Sequence, residues 1–154
     1  MAEHRATIRW HSDSDDFSYD KFTRDHVWKF EGGESLRASS APDFNGNPSH
    51  VDPEEAMVAA LASCHMLTFL ALASKKRMTV VDYDDEPYGT LGKNDAGKTA
   101  LTEVVLQPRV VFSDGQTPSA EDLDALHEKA HAHCFLANSV STRILLKPRP
   151  PLHD

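Results

Sequence analysis

The sequence is poor in features that mark several large classes of protein. Among 154 residues only 2 are cysteine, and 16 basic residues stand against 24 acidic ones, which gives a formal net charge of −8 at pH 7. Two cysteines exclude a disulfide-rich scaffold, and a chain of this length buries about 70% of its unfolded surface without such staples. The acidic balance argues against non-specific binding to nucleic acid or to an anionic membrane, because both require a basic surface.

The first twenty residues contain no apolar run, so we expect no secretory signal. The longest apolar stretch, residues 57–73, is interrupted by Ser63, His65 and Thr68. A spanning helix needs about 20 strongly apolar residues, so we expect a buried core helix, no membrane association and a cytoplasmic location. In a reducing cytosol a pair of cysteines is more often catalytic or redox-active than structural.

The composition, with 40% hydrophobic and 26% charged residues, is typical of a soluble globular protein. We find no internal repeat and no boundary, and therefore predict one domain over residues 1–154. Alternating polarity predicts strands at residues 5–10 and 27–30, with a hairpin turn at Gly32 and Gly33.

Asp52, Pro53 and Glu55 predict the start of a helix, with Asp52 as the N-cap and Glu55 as the returning acid of a capping box. This helix extends to about residue 75 and is apolar nearly all round, so we expect it to be central and buried.

Further along the chain, two long strands are predicted at residues 79–91 and 100–112. Thr117 and Pro118 predict the start of a second helix, and residues 142–147 a last strand. These elements predict an α+β fold with two helices packed on antiparallel sheet.

The two cysteines fall on the two predicted helices. Cys64 lies in mid-helix, and Cys134 ends the second helix on its apolar stripe, so both side chains are expected to face inward. An inert buried thiol is the simplest interpretation of Cys64. A mid-helix thiol also lacks the help of a helix N-terminus, so a reactive Cys64 requires a cation from elsewhere. The sequence alone gives no distance between the two thiols, and a disulfide requires Cα atoms within about 7 Å.

The helix sequence resembles the OsmC/Ohr family of thiol-dependent hydroperoxide reductases. Residues 52–56 read DPEEA and residues 59–64 read AALASC, similar to the family's Asn/Asp-Pro-Glu followed by Ala-Ala-Cys. Residues 133–139, HCFLANS, resemble the second family motif, and the order of elements agrees over nearly the whole chain. The resemblance implies an OsmC-like fold with a long central helix, built as an intertwined homodimer.

The resemblance also implies the roles of four residues. Cys64 would attack the peroxide and become a sulfenic acid, and Cys134 would resolve it as a disulfide that an external dithiol reduces. Glu54 would orient an arginine that favours the thiolate, for which we choose Arg24. Arg24 opens the predicted strand where the family places its arginine, and Arg9 and Arg37 are the alternatives. No metal or bound cofactor is implied.

Ten helical residues separate Glu54 from Cys64 by about 15 Å along the axis. Either the helix bends, or Glu54 serves the site of the partner chain, as in the family's interface sites. The sequence also departs from the family's usual residues. His65 replaces an apolar residue, and Phe135 to Ala137 replace the usual Pro-Tyr-Ser, which indicates a divergent branch.

Two other functions fit the sequence. The spacing of His127 and His131, with His133 and Cys134 nearby, is typical of metal ligands, although their helix angles do not converge. A non-enzymatic protein that binds small or lipid-like molecules in an apolar cleft is the other alternative.

Overall fold

The computed structural model describes residues 1–151, which form two compact units, Met1–Ala56 and the chain from Met57 onward. The first unit contains a three-stranded antiparallel sheet of β1 (Ala6–Arg9), β2 (His26–Phe30) and β3 (Ser35–Ala38), in that order. The chain turns from β2 to β3 at Gly33, whose φ of +97° is one that residues with a side chain rarely adopt. The predicted strands and hairpin are confirmed, while the assignment of one domain stays a prediction.

Helix α1 (Pro53–Lys75) begins with the predicted capping box. The backbone N–H of Glu55 donates to Asp52 Oδ1 at 2.8 Å, and the Asp52 N–H donates to Glu55 Oε1 at 3.3 Å. These bonds satisfy backbone donors that the start of a helix leaves without a partner.

Within the single chain, α1 is buried on one side and not all round. Its buried residues lie on one side of the helix and are Val58, Leu61, Ala62, His65, Phe69 and Ala73. Other apolar side chains remain at the surface, among them Leu67, which is 61% exposed. By length and composition alone α1 would suffice to cross a membrane, but its buried face packs on other elements of its own chain.

Each of the two long strands predicted at residues 79–91 and 100–112 is divided into two in the structure. They are β4 (Val80–Asp85), β5 (Tyr88–Lys93), β6 (Thr99–Leu106), β7 (Pro108–Phe112) and β8 (Arg143–Leu146). The Gln107 backbone N–H donates to Asp85 Oδ1 at 2.7 Å, and its side chain donates to the Glu86 carbonyl at 2.7 Å. Because side-chain bonds replace the strand ladder at this corner, β4 pairs with β7 while β5 pairs with β6.

Helix α2 (Ala120–His133) starts later than predicted because Ser119, rather than Thr117, is the N-cap; its Oγ accepts the Asp122 N–H at 3.1 Å. The chain then returns to β8, which pairs with β6 in parallel and not in the expected antiparallel direction. A parallel pair needs a long crossover, which α2 provides. The α+β class, with two helices and otherwise antiparallel sheets, is confirmed.

Two hydrophobic clusters lie along α1. The first joins its N-terminal half to β6 and comprises Val58, Leu61, Ala62, Val104 and Leu106. The second joins its C-terminal half to β7 and α2 and comprises Phe69, Ala73, Val110, Phe112, Leu123, Leu126 and Ala130. A Cβ at Gly89 would lie 2.8 Å from atoms of both Leu101 and Val58, so glycine allows β5 to approach α1 this closely.

Candidate active site

The two cysteines lie where the sequence predicted them. Cys64 is in the middle of α1, and Cys134 caps the C-terminal end of α2. Both are free thiols, and they lie close enough for the Cys64 side chain to raise the pKa of the Cys134 thiol. Cys134 is buried, whereas Cys64 is partly exposed. The fold therefore places a solvent-accessible thiol directly beside a buried one.

The buried thiol keeps its proton at neutral pH. Burial raises the pKa of the Cys134 thiol, and the neighbouring Cys64 side chain raises this pKa further. The Ala137 backbone N–H donates to Cys134 Sγ at 3.4 Å and opposes this effect.

A pair of buried histidines lies on the same two helices as the cysteines. His65, next to Cys64 on α1, has its Nε2 3.0 Å from Nδ1 of His127 on α2. The two rings are nearly parallel, with 9° between their planes and 5.3 Å between their centroids. Each residue is only 1% exposed, so the pair belongs to the interior of the α1–α2 contact.

Both histidines are neutral at pH 7. Burial lowers the pKa of His65 to about 4, and repulsion from His127 and His131 in their protonated forms acts in the same direction. Burial likewise lowers the pKa of His127 to about 4. A neutral imidazole offers one donor and one acceptor, so one ring donates and the other accepts in the bond between them.

Sequence analysis did not identify this histidine pair. Two signals pointed to it: His65 is four residues from both Leu61 and Phe69 on the buried face of α1, and His127 lies near the apolar stripe of α2. Neither signal names the partner, because 62 residues separate the two histidines. Within residues 1–151, no group of three or more His, Cys, Asp or Glu side chains is arranged to hold a metal ion.

Arg24 lies in the first unit, two residues before β2. Its Nη1 donates to the Phe22 carbonyl at 2.7 Å and its Nη2 to the Tyr19 carbonyl at 2.6 Å. The guanidinium carbon also lies 3.6 Å from the centroid of the Phe22 ring. Arg24 thus stabilises the loop that precedes β2. Its predicted role beside the thiolate stays a prediction.

Glu54 lies in the first turn of α1, within the first unit, and is half-buried. The capping role belongs to Glu55, as the sequence predicted, so the carboxylate of Glu54 is not needed for the capping box. Its predicted role in orienting an arginine remains to be tested.

The two alternatives to Arg24 share a cleft of about 470 Å³ on the first unit. Arg9 and Arg37 flank Val27 in the register of the three-stranded sheet. Neither arginine forms an ion pair with another residue of the described part of the chain. The other lining residues are His11, Asp25, His26 and His50.

The sequence profile of the OsmC-like protein family matches residues 46–148. The chain belongs to the OsmC-like protein family. The predicted family membership is therefore confirmed, and a divergent branch is consistent with the relatives described next.

This OsmC-like chain is similar to an OsmC-like protein of unknown function from Vibrio cholerae, with 45% identity and a TM-score of 0.91 over 97% of this chain and 100% of that chain. It shares the fold of an organic hydroperoxide resistance protein from Elizabethkingia anophelis, with 17% identity and a TM-score of 0.73 over 100% and 98% of the two chains. A curated relative, the uncharacterized protein YmaD of Bacillus subtilis, is 22% identical over 80% of this chain and 83% of its own length.

Proposed function

We propose that this protein is a cysteine-based hydroperoxide reductase that converts organic hydroperoxides to alcohols in the cytoplasm. The placement of the partly exposed Cys64 beside the buried Cys134 carries this proposal. Two structural neighbours, from Elizabethkingia anophelis and Bacillus subtilis, are described as organic hydroperoxide resistance proteins, which supports the same chemistry.

The reaction has two steps on the protein. The Cys64 thiolate attacks the peroxide, the O–O bond breaks, and the alkoxide leaves and takes up a proton to become the alcohol. The resulting sulfenic acid is attacked by the thiolate of Cys134, which has given up its proton, and the hydroxyl group leaves as water. An external dithiol then reduces the disulfide to two thiols and is itself oxidised to a disulfide.

Charged residues would support the first step. A guanidinium group favours thiolate over thiol and can donate to the peroxide oxygens. Arg24 is our choice for this group, oriented by Glu54, with Arg9 and Arg37 as alternatives. We further propose that the protein is a homodimer whose sites are shared between chains.

Anaerobic thiol titration tests the proposed activity. One equivalent of cumene hydroperoxide should remove both thiols of each wild-type chain, and dithiothreitol should restore them. Cys64→Ser should abolish peroxide consumption. Cys134→Ser, the matched control, should still consume one equivalent and accumulate a sulfenic acid that a dimedone-type reagent traps. A Cys64→Ser protein that keeps wild-type turnover would disprove the proposal.

A further inference from the structure

Two consecutive residues of α1 meet partners on α2. Cys64 meets Cys134, and the next residue, His65, meets His127. On α2 the two partners are seven residues apart, which is two helical turns. The histidine pair therefore connects the same two helices as the cysteine pair, beside it in the α1–α2 contact.

Among the described residues, the two histidines form a polar interaction only with each other. Nδ1 of His65 and Nε2 of His127 are both buried, and neither has a hydrogen-bond partner within residues 1–151. Phe69 stacks on the His127 ring at 4.4 Å between centroids and holds it in place. Removal of one histidine would leave a buried ring nitrogen of the other without a partner. The bond therefore stabilises the relative position of α1 and α2 in which the two rings meet.

A disulfide between α1 and α2 forms only when the two helices are held in a narrow range of relative positions. Its Cα atoms must lie about 4.4–6.8 Å apart and its sulfur atoms about 2.05 Å apart. A directional bond between helices limits both their sliding and their rotation, and so limits how far Cys64 and Cys134 can separate. We propose that His65 and His127 are positioning residues: a clasp between α1 and α2 that holds the two thiols ready for disulfide formation.

This inference rests on the disulfide of the proposed function, but its test does not require peroxidase activity. In a glutathione redox buffer, the protein dithiol and glutathione disulfide exchange to give the protein disulfide and two glutathione thiols. The equilibrium constant of this exchange is the effective concentration of one cysteine at the other. A clasp raises that concentration whether or not the protein reduces peroxides.

Substitutions with and without the hydrogen bond separate the clasp from general packing. His65→Phe and His127→Leu remove the bond, and we expect a three- to tenfold lower effective concentration. His65→Gln places an amide where Nε2 lies, and His127→Asn places one where Nδ1 lies, so each should stay within twofold of the wild type. His133→Gln, at an exposed position of the same helix, is the matched control and should change nothing.

The double variant His65→Phe/His127→Leu leaves no ring nitrogen without a partner, so it should fold even where a single variant does not. It should still show the lower effective concentration. If it keeps the wild-type value, or if the Gln and Asn variants lose as much as the apolar ones, the clasp is overturned.

Stopped-flow measurements provide a second readout. Loss of the clasp should slow disulfide formation after the sulfenic acid, while peroxide consumption by Cys64 keeps its rate. An equal slowing of both steps would indicate a general loss of structure and would contradict a positioning role. Absence of any peroxide consumption would instead disprove the proposed function and leave the glutathione result standing.

Discussion

Arg24 donates to two carbonyls of its own segment, and this bears on which cation could serve Cys64. A mid-helix thiol gains little from the helix dipole, so its thiolate needs a nearby positive charge. Arg24→Met keeps much of the apolar stem and removes the charge. We expect the alkylation of Cys64 to shift to higher pH and peroxide reduction to fall in parallel.

The same substitution at Arg9 and at Arg37 provides the controls. These two arginines line one cleft of the first unit, and Arg24 is not among the residues that line it. Both variants should leave the alkylation profile nearly unmoved. A shift in Arg37→Met alone would transfer the role to Arg37. If none of the three substitutions moves the profile, no N-terminal arginine activates the thiol.

The cysteines and the capping residues could be predicted because their signals are local in the sequence. Asp52 and Glu55 are three residues apart, and Cys64 follows at a fixed distance on the same helix. The histidine pair could not be predicted in this way, because His127 contributes its ring from another helix. Contacts between distant segments depend on packing that one-dimensional patterns do not contain.

At the scale of elements, the α1–α2 contact should be sensitive to acid. The folded-state pKa of both His65 and His127 is about 4, below the value of about 6.5 in an unfolded chain. Between these values the unfolded chain binds more protons, so stability is present above pH 6.5 and is lost as the pH falls toward 4. From pH 7 to pH 5 we expect the pair to lower the free energy of unfolding by roughly 2–4 kcal/mol.

Urea unfolding at pH 7, 6 and 5 measures this loss. The variant His65→Phe/His127→Leu serves as the reference, because it retains His131, whose charge acts on His65, and all the carboxylates. Its stability should depend less steeply on pH over this range. Parallel curves for the two proteins would contradict the assignment of the acid sensitivity to the pair.

The helices were predicted more accurately than the later strands. The start of α1 follows from residues three apart. The division at Gln107 instead depends on its bonds to Asp85, the last residue of β4, and to Glu86, which follows β4. The parallel pairing of β6 and β8 is likewise a property of the crossover through α2. The alternation of polarity identifies a strand but does not say which strand pairs with it.

At the scale of the whole molecule, the apolar surface of α1 supports the proposed homodimer. Leu67 is 61% exposed in the single chain, and a second chain could cover this side of the helix. Glu54 and Cys64 lie ten residues apart on one uninterrupted helix, which corresponds to about 15 Å along its axis. A site shared between chains would bring Glu54 of one chain to Cys64 of the other.

Mixed dimers test this sharing. Glu54→Ala and Cys64→Ser chains, each inactive alone, should recover part of the activity when they are unfolded together and reassembled. Up to half of the dimers would then contain one intact shared site. Unmixed samples carried through the same procedure are the controls. No recovery in demonstrably mixed dimers would favour a site within one chain.

The parallel pairing of β8 has a consequence for synthesis on the ribosome. β6 contains Val104, Val105 and Leu106, each at most 1% exposed in the folded chain, and β8 pairs with these residues. Because Glu103 pairs with Arg143, the partner strand emerges about 40 residues later, a delay of roughly 2–8 seconds at about 5–20 residues per second. During that interval a nascent apolar strand has an open edge, which is the kind of surface that chaperones bind and that aggregates when it is left uncovered.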